Sequence, residues 1–141
     1  MNVSQTMHPS VPFLDGNPKK LLIDGKWVGA SSGKTFPSIS PIDGSVLAEI
    51  AEGDARDIDL AVAAARRAFE GPWSKVKPFD RQAMLLRLAD LVDRDFQELA
   101  LLDTLDMGAP ISMTSARRMR NVSLIRHFAS LILAMHGDTN E

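Results

Sequence analysis

The residue types that carry covalent chemistry are scarce in this chain. None of its 141 residues is cysteine, which removes disulfides, thiolate metal sites and a thiolate nucleophile together. His8, His127 and His136 share no metal-ligand spacing, so they read as surface or satisfied core residues. Gly29 to Thr35 (GASSGKT) looks like a phosphate loop, but it is one residue short between its glycines. Pro37 also stands where such a loop should feed a helix whose amides hold phosphate, so an ordinary turn is expected. Arg117, Arg118, Arg120 and Arg126 are spread around a helix with no interleaved aromatic series, which favours a solvated or ion-paired face over a nucleic-acid surface. The acidic sets Asp54, Asp57, Asp59 and Asp90, Asp93, Asp95 lack the glycine and terminal glutamate of a calcium loop and read as caps and solvated faces. Asn2-Val3-Ser4 and Asn121-Val122-Ser123 match glycosylation acceptors by letter only.

Composition narrows the function classes further. With 45% hydrophobic and 24% charged residues, the chain belongs with globular proteins and not with disordered or fibrous ones. A formal net charge of -2 supplies no field to draw in nucleic acid or an acidic membrane surface. No stretch approaches the ~20 apolar residues of a membrane span, and the opening has no apolar core of secretory length, so a cytoplasmic setting is expected.

The elements that must position any site follow from periodicity. Residues 1–19 are turn formers without a period and read as a disordered tail. Leu21 to Val28 reads as a hairpin about Asp24-Gly25, because that turn needs positive φ at both central positions. Thr35 to Ser40 is a second extended segment, with Pro37 confining it to a sheet edge. After the turn Pro41-Ile42-Asp43-Gly44, Ser45 to Glu52 alternates as its partner. The period then changes from two to 3.6. Asp54 caps a helix whose apolar stripe is Ile58, Ala61, Val62, Ala65 and Phe69, ended by Gly71-Pro72. Pro78 opens the next helix, with Leu85, Leu88, Ala89 and Val92 as its buried stripe. Asp95 and Glu98 suggest a capping box that restarts the pattern, and Gly108-Ala109-Pro110 ends the third helix. A last helix is expected from about Ser115 to His136, closed by Gly137. Its second half, Leu124, Ile125, Phe128, Leu131, Ile132, Leu133 and Met135, is apolar on nearly every side and calls for a larger body packed against it.

Several of these stretches, taken in order, carry a resemblance. They are Leu22-Ile23-Asp24-Gly25-Lys26-Trp27, Thr35 to Pro41 (TFPSISP), Ala51-Glu52-Gly53-Asp54 and Ala61 to Phe69 (AVAAARRAF). Trp73-Ser74, Arg87 to Leu91 (RLADL), Asp103 to Gly108 (DTLDMG) and Arg126-His127-Phe128-Ala129 continue it. Each is weak alone, but the ordered set resembles the opening of the aldehyde dehydrogenase superfamily. The likeness covers residues 20–137, with 138–141 read as a truncated end. Ser40, where the family commonly has Asn, and Met107 and Ala109 depart from its pattern.

The resemblance implies an α/β fold, represented here by its amino-terminal part: β hairpins followed by about four helices, without the cofactor and catalytic domains. It implies a parent reaction in which NAD or NADP takes hydride from an aldehyde that becomes a carboxylic acid. In the family a cysteine thiolate attacks the carbonyl carbon and a glutamate helps water release the acid. No residue here carries those catalytic roles, and no cofactor is expected to bind this chain alone. The one site the resemblance places inside the matched region is a structural monovalent cation held by the carbonyls of Ser38 and Ile39 with Asp106, hard oxygen donors that suit such an ion. An inactive family member is the first expectation. The second is a non-catalytic binding or regulatory piece that docks on full-length aldehyde dehydrogenase subunits. Neither nucleic acid nor a membrane is expected as a partner.

Overall fold

The structure, a computed structural model, describes residues 11–135. His8, His136, Gly137, the Asn2 acceptor and the chain end at 138–141 lie outside them. Two antiparallel hairpins lead into a set of helices. The first joins β1 (Leu21–Ile23) to β2 (Lys26–Val28), with Leu22 opposite Trp27. Asp24 and Gly25 both adopt positive φ, 54° and 71°, the backbone that an Asp-Gly turn between short strands requires. The second pairs β3 (Thr35–Ile39) with β4 (Val46–Ala51), and its register slips between Ser38 and Ile39. Pro37 lies within β3.

Residues 11–19, the described part of the stretch read as a tail, are tied to the rest of the chain. Val11 is buried, and the Phe13 amide donates to Glu98 Oε1 at 2.8 Å. Lys19 forms a parallel bridge to Ile50, its amide donating to the Glu49 carbonyl and its carbonyl accepting from the Ala51 amide. Turn-forming residues lack a period of their own, but long-range backbone hydrogen bonds hold them where a strand edge offers unpaired groups.

Helix α1 (Ala55–Glu70) begins with the Asp54 cap. The Asp54 carboxylate accepts from the Arg56 and Asp57 amides, while the Asp57 side chain accepts from the Asp54 amide, a reciprocal box. A 3-10 turn at Pro72–Lys75 leads to α2 (Pro78–Arg94), with Pro78 in its first turn. Helix α3 (Phe96–Met107) ends at Gly108 in the left-handed region, φ 72°. The box expected from Asp95 and Glu98 is absent: Asp95 makes no side-chain cap, its carboxylate being held by Arg94 and that of Glu98 by Phe13.

The long last helix is two. Helix α4 (Ile111–Ala116) stops at Arg117, α5 (Arg118–Leu131) restarts, and a 3-10 turn covers Ile132–Ala134. Before the break, the buried Thr114 turns its hydroxyl to Thr104 Oγ1 at 2.9 Å and to the Ile111 carbonyl. This bond ties α4 to α3, whereas α5 lies on α2. Helices α2 and α5 run antiparallel, joined by Arg118 to Asp93 and Arg126 to Asp90, and Gln82 Nε2 donates to the Ala129 carbonyl.

The core is made largely of small side chains. Ala89 and Ala129 are fully buried, and Ala51, Ala64, Ala100, Val122, Phe96 and Leu105 are nearly so. Alanines at a helix contact permit close approach but remove little apolar area from water. The expected stripe on α2 is only partly buried, since Leu88 is exposed.

Candidate functional site

The region where β3, the strap at 11–19 and α3 meet brings together residues the sequence had singled out. Ser38 Oγ donates to Asp106 Oδ1 at 3.0 Å across 68 positions of sequence. Two features of the chain fix this meeting. The slip in pairing between Ser38 and Ile39 leaves Leu47 as the extra residue, a bulge in β4 opposite the end of β3. Gly108, two residues beyond Asp106, lies so close to the turn after β3 that a Cβ there would be 3.1 Å from Pro41 Cγ. The end of α3 is thereby seated on the β3–β4 turn. That turn is itself held by Ser40, which is fully buried, its amide donating to the Ser45 carbonyl and its Oγ accepting from the Ile42 amide.

Ser38 and Asp106 border a cleft of about 210 Å³, whose walls include Phe13, Leu47, Ile50 and Leu102. One carboxylate and one hydroxyl, both hard oxygen donors, fit a monovalent cation better than a transition metal. Ile39 is exposed at the bulge next to this pair. Among the described residues no group of three or more His, Asp or Glu is placed to hold a metal ion. Phe13, missed by sequence reasoning because it lies in a stretch without period, is a wall of the cleft, and Lys19 stacks its ammonium over the Phe13 ring at 4.7 Å.

The loop at Gly29 to Lys34 is occupied by the protein itself. The Ser31 amide donates to both carboxylate oxygens of Asp57, at 3.0 and 3.1 Å, and its hydroxyl donates to Oδ1 at 2.6 Å. Asp57 is buried, and the Ser31 hydroxyl, followed by the Asp54 amide, holds its carboxyl below the ordinary carboxylate value. A buried carboxylate on the loop amide, followed by a strand, is the arrangement of a structural turn and not of a phosphate cradle.

The remaining candidates are dispersed. Arg118 and Arg126 are engaged by Asp93 and Asp90, and the pairing pulls the Asp93 carboxyl down and the Arg118 guanidinium up. His127 is exposed and meets Phe128 edge to face with centroids 5.5 Å apart. Asn121 lies on α5 and is exposed. No helix of the described residues is long and apolar enough to cross a membrane.

The hairpins and the helix order have counterparts in known proteins. The model of the aldehyde dehydrogenase family matches residues 27–141. The chain belongs to that family. It is 48% identical over 133 residues to the mitochondrial benzaldehyde dehydrogenase of Antirrhinum majus, covering 93% of this chain and 25% of that protein. It is 50% identical over 122 residues to aldehyde dehydrogenase family 2 member C4 of Arabidopsis thaliana, covering 85% and 24% respectively. An aldehyde dehydrogenase from Bacillus cereus superposes with a TM-score of 0.88 at 36% identity, over 92% of this chain and 27% of the other. The indole-3-acetaldehyde dehydrogenase of P. syringae, in complex with NAD+, gives 0.82 at 38% identity, over 87% and 25%. The chain thus spans about a quarter of the length of the relatives it matches, at their amino-terminal end, and the α/β expectation holds as the opening portion of that fold.

Proposed function

We propose that this chain supplies the amino-terminal portion of an NAD(P)-dependent enzyme oxidising an aldehyde to a carboxylic acid, and that alone it catalyses nothing. The observation that carries the reading is the family match over residues 27–141 joined to a sequence without cysteine. Hydride transfer from an aldehyde needs a nucleophile that first adds to the carbonyl carbon, and a thiolate serves because it also leaves well from the acyl group. A nicotinamide, when bound, supplies the hydride acceptor; NAD+ is seen with the P. syringae relative, and NAD or NADP is the cofactor proposed for the whole enzyme.

Within this reading Ser38 and Ile39, with Asp106, hold a structural monovalent cation. Support comes from the 3.0 Å contact of Ser38 with Asp106 beside the bulge and from the hard-donor character of the set. The role is positional: a cation there would tie β3 to the end of α3. The setting proposed is the cytoplasm, and the partners are an aldehyde and aldehyde dehydrogenase subunits. Fractionation of cells expressing the tagged chain tests the compartment, with recovery in mitochondria counting against it.

The purified chain, mixed with benzaldehyde or acetaldehyde and either NAD+ or NADP+, is expected to give no reduced nicotinamide above buffer. A saturable, aldehyde-dependent rise in nicotinamide absorbance, from material free of contaminating enzyme, would reverse the reading.

A further inference from the structure

The arginines of α5 are spaced around a serine that no other role accounts for. Arg118 and Arg120 precede Ser123 by five and three residues, and no other serine or threonine of the chain has arginine at both positions. Val122 and Ala129 are the buried residues of this helix, and Leu124, Phe128 and Leu131 share an apolar side. Ser123 lies on neither. Its polar neighbours three and four positions away are Arg120, Arg126 and His127, all exposed.

Two further observations single out this hydroxyl. It is exposed and makes no hydrogen bond among the described residues, whereas the Ser130 hydroxyl on the same helix donates to the His127 carbonyl. It borders an open hollow of about 490 Å³ whose walls include Asp93, Arg118, Met119 and Arg126. The start of α5 is also the part of the helix that opens most easily. Arg117 supplies no side-chain cap and the first turn has no acidic residue, while Arg117, Arg118 and Arg120 set positive charge against the positive end of the helix dipole. Opening it as far as Ser123 breaks the exposed Arg118–Asp93 pair, which is worth little, and uncovers the single buried side chain Val122. The residues before Ser123 can thereby be presented in extended form.

We propose that Ser123 is a phosphorylation site, recognised through Arg118 and Arg120 by an ATP-dependent serine/threonine kinase that selects basic segments. Arginines at fixed distances before the serine pair with carboxylates of such an enzyme, a charge pattern that separates its substrates from others. The Ser123 oxygen attacks the γ-phosphorus of ATP, the bond from that phosphorus to the β–γ bridging oxygen breaks, and ADP leaves; the hydroxyl proton passes to the kinase's catalytic aspartate. The product carries nearly two more negative charges on a chain whose formal charge is -2. Arg120, which has no ion pair among the described residues, and Arg126 stand within one turn to hold the phosphate by charge-assisted hydrogen bonds. Arg126 is thereby drawn from Asp90, and Asp90 and Asp93 of α2 face the new anion as like charges. The modification acts on the seam between α2 and α5.

The purified chain is incubated with ATP and the catalytic domain of a kinase selective for arginine five and three residues before serine. A free peptide of residues 116–127 controls for recognition by sequence alone. The chain is expected to take up one phosphate, located by fragment mass spectrometry at Ser123. Ser123→Ala should abolish incorporation, and Arg120→Ala should slow it about tenfold through loss of one charge-assisted contact. Both side chains are exposed, so each variant should keep the wild-type helical circular dichroism. A kinase that selects acidic segments should leave the chain unmodified. Asp90→Asn should lower the melting temperature of the unmodified chain slightly and raise that of the phosphorylated chain, where it removes a like charge. No incorporation into the chain, whether or not the peptide is modified, overturns the proposal. Equal incorporation into Ser123→Ala or an unchanged rate with Arg120→Ala does the same, and an Asp90→Asn effect of one sign in both forms overturns the exchange of partners by Arg126.

Discussion

Replacing Gly108 with alanine should loosen the junction that brings Asp106 to Ser38, by two separable effects. Gly108 has φ 72°, where an L-residue with a Cβ costs roughly 1–2 kcal/mol. The added Cβ would also lie 3.1 Å from Pro41 Cγ, inside the ~3.5–4.0 Å optimum for carbon contacts. Relief requires the end of α3 and the β3–β4 turn to move apart. The two effects together should cost about 1.5–3 kcal/mol, and a chain of this size shifts its melting temperature by roughly 4 °C per kcal/mol. A fall of about 6–12 °C in thermal unfolding followed by far-ultraviolet circular dichroism is therefore expected. Gly33→Ala separates the effects, because Gly33 has the same φ of 72° but no atom within 4 Å of a built Cβ; it should lose only the conformational part. Adding Pro41→Ala to Gly108→Ala should return the difference between the two glycine variants. Equal losses for Gly108→Ala and Gly33→Ala, or no recovery with Pro41→Ala, would refute the claim that α3 is seated on this turn.

The Asp57 contacts predict a pH dependence. Its carboxyl is depressed in the folded chain, by the Ser31 hydroxyl foremost, so its stabilisation is present above the unfolded carboxylate value near 3.8 and is lost as pH falls through the folded value. Asp57→Asn should therefore be less stable than wild type at neutral pH, and the gap should close below about pH 4; a gap constant with pH in acid titrations would count against it. Asp54→Ala removes the cap of α1 and should cost about 1 kcal/mol by urea unfolding, with Asp54→Ser recovering most of it. Arg126→Ala breaks an exposed pair with Asp90 and should change stability by less than about 1 kcal/mol, the difference shrinking further in molar salt. Asp106→Asn should abolish any stabilisation by potassium or sodium over tetramethylammonium at equal ionic strength; an undiminished cation effect would remove Asp106 from the proposed site.

Local chemistry was legible where it acts over a few residues. Asp24-Gly25, Asp54 with its helix, Pro78 and Gly108 mark boundaries that the structure keeps, because positive φ, an orphan amide or a missing donor is decided by neighbours in sequence. The strap at 11–19, the failed cap at Asp95 and the split at Arg117 were not legible. The strap depends on partners far along the chain, Lys19 on β4 and Phe13 on Glu98, whereas Asp95 is taken by its neighbour Arg94.

The site divides in the same way. Ser38, Ile39 and Asp106 could be nominated from family likeness, but only the fold shows Ser38 and Asp106 in contact and Phe13 beside them. The sequence by itself determined the chemistry this chain lacks, since the absence of a thiol is a property of composition, and it determined which helical faces are apolar, since 3.6-residue periodicity is local. Only the tertiary structure decided which of those faces are covered. Burial depends on what else is near in space, and around Ile58, Val62 and Phe69 of α1 and Leu124, Phe128 and Leu131 of α5 the described residues provide no neighbour large enough to exclude water.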